Sequence, residues 1–171
     1  MTEILLAEPI HVYPEARFEE AVRRLMEVTL EGKAALIVPK LGLDFGVFVH
    51  SLSGCRPVFI EVKSYGGQRQ GGVGFGNGKG EGPQVQLLLS ENVGILDDCV
   101  RWAFADDTKP PGEARFALLN CSEAKAAVMG VVAQGKQNNF NFSKVRSHLV
   151  GWQVFAERLV TFVLAAKGAT A

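Results

Sequence analysis

The sequence predicts a mixed α/β protein, with a central mixed sheet of about five strands flanked by helices. Three observations carry this expectation. Apolar residues recur at helical spacing near both ends of the chain, and period-two alternation marks its middle. Hydrophobic residues make up 47% of the 171 positions, enough to bury a core without disulfide or metal staples. The length suits a single domain over residues 1–171.

The elements follow in order. From Tyr13 to Glu31, Phe18, Ala21, Val22, Leu25 and Met26 share one helical face, with Pro14 in the first turn and Gly32 at the exit. Ala34 to Val38 is a short apolar strand. Leu41 to Val49 is a second, in which Leu43, Phe45, Val47 and Val49 alternate with Asp44, Gly46 and Phe48. Ser51 to Arg56 reads as a turn before a third strand, Val58 to Lys63, and the short connections suggest an antiparallel meander. Between Gly66 and Gly82 there are nine glycines, a composition expected to form a mobile loop outside the core. Pro83 opens a helix to about Leu96. Strands are expected at Val100 to Ala105 and Ala114 to Asn120, joined by a turn containing Pro110-Pro111-Gly112. A helical segment over 122–167 completes the chain: Ser122 caps a helix to about Ala133. A long helix then runs from Ser143 to about Lys167 with Val145, Leu149, Trp152, Phe155, Leu159, Phe162 and Val163 on its apolar face.

Composition excludes several classes. Eighteen basic residues balance eighteen acidic ones, so a uniformly basic nucleic-acid coat protein is ruled out, although a local basic groove is not. Cys55, Cys99 and Cys121 form neither a disulfide framework nor a CxxC knuckle. The first residues carry Glu3 and Glu8 without a basic stretch, unlike a secretory signal, and no run is apolar enough to span a bilayer. A cytoplasmic protein without membrane contact is the expectation.

The sharpest chemical signal joins Asp44 on the second strand to Glu61-Val62-Lys63 on the third. Strand alternation sends Val58, Ile60 and Val62 to one face and Glu61 and Lys63 to the other, outside the core. Two adjacent strands then hold two carboxylates and one ammonium together. Oxygen ligands of this kind suit Mg²⁺, and a neighbouring lysine can orient or deprotonate a water and neutralise charge on a phosphate. The competing reading is an exposed Glu–Lys pair on the solvent side of an amphipathic strand.

With 16 residues between Asp44 and Glu61, this constellation resembles the PD-(D/E)xK nucleases, the restriction-endonuclease-like superfamily. The resemblance covers roughly residues 13 to 121, including the order helix, strand meander, helix and strand. Leu43 stands where the motif's proline would be. The resemblance implies a restriction-endonuclease-like core in which Asp44 and Glu61 hold Mg²⁺ (with Mn²⁺ able to substitute) and Lys63 assists the attacking water. It also implies an acid from the first helix, for which Glu19 is preferred and Glu15 held in reserve. A glutamine at the start of the helix after the ExK strand is implied as well, and Gln84 is preferred to Gln86.

From Lys63 through Gly80 the chain carries Lys63, Arg69 and Lys79 and no acid. Arg69 and Lys79 could follow a phosphate backbone and Phe75 could stack on a base. The loop contains neither a Walker A sequence nor GxGxxG. The expected function is therefore a metal-dependent DNA endonuclease, with RNA the lesser candidate substrate and exonuclease action the lesser mode. A homodimer through the C-terminal helix would supply two active sites. The alternative is a non-catalytic nucleic-acid- or protein-binding module on a degenerate nuclease fold.

Overall fold

The computed structural model describes residues 6–30, 34–37, 43–51, 54–66, 72–76, 81–129 and 138–168. A five-stranded mixed sheet forms its centre, in the order β1-β2-β3-β5-β6. β1 (Ala34–Ile37), β2 (Phe45–Ser51) and β3 (Gly54–Tyr65) are antiparallel neighbours. β5 (Val100–Asp106) runs parallel to β3, and β6 (Phe116–Leu119) returns antiparallel beside it. The mixed α/β architecture expected from the sequence is thus present.

Both faces of the sheet are covered. α1 (Ala16–Leu30) and α5 (Trp152–Gly168) lie on one face, where Phe18, Val22, Leu25, Phe155 and Leu159 meet Val58, Ile60 and Val62. The other face buries Trp102 and Phe104 under α2 (Pro83–Leu89), α3 (Cys121–Ala126) and α4 (Phe142–Arg146). The same cover includes a two-stranded sheet of β4 (Gly72–Phe75) and β7 (Asn138–Asn141). Because of this second layer, Glu61 and Lys63 are not on a solvent face as the alternation suggested. Glu61 has no exposed surface and Lys63 only 6%.

Several element expectations need correction. The turn expected over Ser51 to Arg56 is largely strand, since β2 reaches Ser51 and β3 begins at Gly54. The glycine-rich stretch is not all loop: Val73 and Phe75 are buried in β4, whose glycine backbone lets it pair with β7. The helix from Pro83 ends at Leu89, and a separate 3-10 turn covers Val93–Leu96. α3 is capped by Asn120 rather than Ser122 and ends at Ala126; residues 130–137 lie outside the described ones. Asn120 Oδ1 accepts from the Glu123 N–H at 2.8 Å and Glu123 Oε2 from the Asn120 N–H at 2.9 Å, a complete capping box. Finally, the long C-terminal helix is two helices. Val150 leaves helical geometry to exchange hydrogen bonds with Phe116 (2.7 and 3.0 Å), extending the sheet edge, and Gly151 precedes the restart at Trp152. The apolar face proposed for dimerisation is largely inside the fold: Phe155 is fully buried against Phe18, Phe116 and Trp152.

Candidate active site

The site lies where two paired strands part. β2 begins at Phe45, opposite Ile60, so β3 runs on from Glu61 to Tyr65 without β2 beside it. The odd-numbered N–H groups of β3 face β5, as Phe59 shows by donating to Cys99 O at 2.8 Å. The even-numbered ones face the vacated side and need other acceptors. Carboxylates supply them. The Val62 N–H donates to Asp44 Oδ2 at 2.7 Å and the Ser64 N–H to Glu15 Oε2 at 3.0 Å. Asp44 itself stands one residue before β2, not within it, and its own N–H donates to Glu61 Oε2 at 3.1 Å. Asp44 and Glu61 are therefore locked together by reciprocal backbone contacts.

Lys63 lies among the acids. Its ammonium donates to Glu61 Oε1 at 2.5 Å, to the Val62 carbonyl at 2.9 Å and to Glu15 Oε1 at 3.3 Å. Gln84, in the first turn of α2, completes the array. Its amide donates to Glu61 Oε1 at 2.6 Å while its carbonyl accepts from the Gly76 N–H at 3.0 Å. One glutamine thus ties the buried carboxylate to the end of β4.

Four carboxyl groups (Glu15, Glu19, Asp44 and Glu61) surround one ammonium, and the electrostatics reflect this excess. Burial pushes Glu61 up to about 8; Lys63 opposes the shift, while Asp44 adds to it. Glu19 is also raised, first by burial and then by the charges of Asp44 and Glu15. Burial acts to lower Lys63, but Glu61, Glu15 and Asp44 outweigh it, so the ammonium is held above its usual value.

The carboxylates that could hold a hard divalent cation are Asp44 and Glu61, which meet through their backbone contacts. The oxygens of Glu61, Glu15 and Val62 already converge on a cation, the Lys63 ammonium. Among the described residues no three His, Cys, Asp or Glu side chains converge as a complete metal-ligand set. An ion here would rest on two carboxylates and draw its remaining ligands from water, as Mg²⁺ commonly does.

The sequence-predicted residues fare unequally. Asp44, Glu61, Lys63 and Gln84 come together. Glu19 feels the cluster's charge, but Glu15, the reserve choice, makes the direct contacts. Phe75 does not face a ligand: its ring is 1% exposed and packs against Phe140 and Trp102. Its place in the alternation of β4, between two glycines, held that information. Arg69 and Lys79 lie outside the described residues. Beside the cluster opens a cleft of about 460 Å³, lined among others by Tyr13, Glu15, Lys63, Gly74, Gly76 and Gln84. Tyr13 entered the sequence reading only as the start of the first helix; it precedes α1 and belongs to no periodic pattern.

No protein-family model matches the chain, and no curated protein or solved structure is significantly similar to it. Among the described residues, no helix is long and apolar enough to cross a membrane.

Proposed function

We propose that this protein is a Mg²⁺-dependent phosphodiesterase acting on nucleic acid, DNA ahead of RNA, built on a PD-(D/E)xK, restriction-endonuclease-like core. One observation carries the reading: Asp44, the Glu61–Lys63 pair and Gln84, from three separate segments, meet through direct hydrogen bonds where β2 and β3 separate. A buried Glu–Lys pair is costly to build and is poor evidence of a purely stabilising role. The element order and the parallel β3–β5 pair support the same core.

Asp44 and Glu61 would hold the ion, which supplies a polarised water and neutralises charge on the phosphate. Gln84 fixes the Glu61 carboxylate by gripping Oε1 from α2. Lys63, with its ammonium fixed by Glu61 and Glu15, is the group able to orient the water and to hold positive charge beside the phosphate oxygens as negative charge develops. Losing one such contact costs about 2.7–4 kcal/mol, or roughly 10²–10³ in rate. Asp44→Ala and Lys63→Ala should each lose cleavage of plasmid or linear DNA on that scale while keeping the wild-type circular dichroism spectrum. Wild-type rates in either variant, from nuclease-free preparations, would sink the assignment.

A specific observation favours the second reading, a non-catalytic binding module on a degenerate nuclease core. Asp44 and Glu15 both serve as acceptors for backbone N–H groups of β3, a structural task. Titration with Mg²⁺ and Mn²⁺ separates the two, since the module should show no metal-dependent cleavage of any DNA form.

A further inference from the structure

The cleft beside the cluster has two unlike walls. On one side stands Tyr13, 37% exposed, followed by Pro14, Glu15 and Ala16. On the other runs β4 into Gly76, with Gly74, Phe75, Gly76 and Gln84 lining the space. Along this stretch Gly72, Gly74 and Gly76 alternate with Val73 and Phe75, and the two apolar side chains are buried in the core. Period-two alternation therefore turns Gly72 and Gly74 to the opposite side, while Gly76 follows the strand with its own backbone geometry. That side of β4 presents bare backbone. Gly76 has φ +78°, and a Cβ there would sit 2.5 Å from Val85 Cγ2.

Tyr13 is positioned equally closely. A Cβ on Gly66 would lie 2.8, 2.9 and 3.0 Å from Cγ, Cδ2 and Cδ1 of the Tyr13 ring, so one ring face rests on the Gly66 backbone at the end of β3. The floor between the walls is Lys63 and Ser64, and Lys63 is the only cationic lining group among the described residues. The result is a slot with an aromatic ring on one side, side-chain-free peptide on the other and, below, the Lys63 ammonium paired with Glu15 and Glu61. Its volume lies in the range of small-ligand pockets, roughly 300–1,000 Å³.

Resting on the nuclease reading, we infer that this slot receives a single unpaired nucleotide, so that the substrate is single-stranded or frayed nucleic acid rather than intact duplex. The base lies against Tyr13 with the glycine backbone of β4 opposite, above the Lys63 and Ser64 floor. Aromatic rings hold unpaired bases without regard to sequence, and a base still paired in a duplex cannot enter a recess of this kind without being unstacked.

The test is fluorescence anisotropy of the full chain with a labelled 20-nucleotide DNA strand and with its blunt duplex. Ca²⁺ replaces Mg²⁺ during binding, and Mg²⁺-dependent cleavage of both DNAs is measured in parallel. The expected result is about ten-fold tighter binding of the single strand, lost on the same scale in Tyr13→Ala and restored in Tyr13→Phe. Gly74→Val, which puts a branched side chain on the bare wall, should weaken the single strand too, with its folding checked by circular dichroism. Equal affinity for both DNAs, binding of neither, or unchanged affinity in Tyr13→Ala overturns the inference. Single-strand preference without any cleavage keeps the inference and removes the nuclease reading; cleavage of both DNAs at equal rates does the reverse.

Discussion

Glu61 is a carboxyl group with no exposed surface, held by Lys63, Gln84 and the Asp44 N–H. Its folded-state value of about 8 lies above the ordinary 4.5 of an unfolded chain. Between those values the folded protein binds a proton that the unfolded chain has released, so stability falls as pH rises. Metal-free protein in chelator should therefore lose denaturation midpoint steadily from about pH 5 to pH 8, and Glu61→Gln should flatten that part of the profile. A wild-type midpoint that rises across this window would show that the folded site favours the ionised form. Strand phase groups Asp44 with Glu61 and Lys63 in the sequence, and only the family resemblance points to Gln84; the structure brings the four together. Their burial was not legible, because it depends on β4 and β7, which pair across more than sixty residues. Glu15 was harder still: it acts by filling the edge of β3 that β2 leaves open, a vacancy visible only once the register is known.

At the level of elements, two short segments make separate contributions. The capping box of α3 satisfies the Glu123 and Asn120 N–H groups reciprocally. Asn120→Ala should cost about 1 kcal/mol in chemical denaturation, with a ceiling near 2. Gly76 matters for another reason. Its positive φ and the 2.5 Å approach to Val85 leave no room for a methyl group, so Gly76→Ala should destabilise by about 1–3 kcal/mol. It should also slow cleavage, because the same N–H anchors Gln84. Unchanged stability together with unchanged cleavage would mean that β4 does not position the site. β4 reads as loop in composition because glycine dominates it, yet two apolar residues at alternate positions suffice for a strand when a partner exists. The C-terminal break was obscured for the opposite reason: apolar residues continue at helical spacing through 145–163 while Val150 is drawn away to pair with Phe116.

For the molecule as a whole, the sheet separates two hydrophobic cores, and α5 belongs to the first of them. Phe155→Ala should cost about 3–5 kcal/mol, as for a buried aromatic, and the loss should not depend on protein concentration. A loss that shrank as concentration rose would instead place Phe155 at an interface between copies. The balance of eighteen basic and eighteen acidic residues also has a local meaning. Four carboxyl groups crowd one ammonium at the fork between β2 and β3. Under the proposed function, an approaching polyanion would meet net negative charge there until a divalent cation bound, so its productive binding would be conditional on the metal.

β3 faces both cores, and its two rows of side chains differ in kind: Val58, Ile60 and Val62 on one side, Glu61 and Lys63 on the other. A slip of one residue against β2 would drive both charged groups into the packing of α1 and α5 and strand three aliphatic residues among carboxylates. The charged pair therefore penalises a shifted register of β3 in the sheet. A chain that has closed its first core around β3 has, by the same event, aligned its acidic cluster, so few folded molecules should carry a misaligned site.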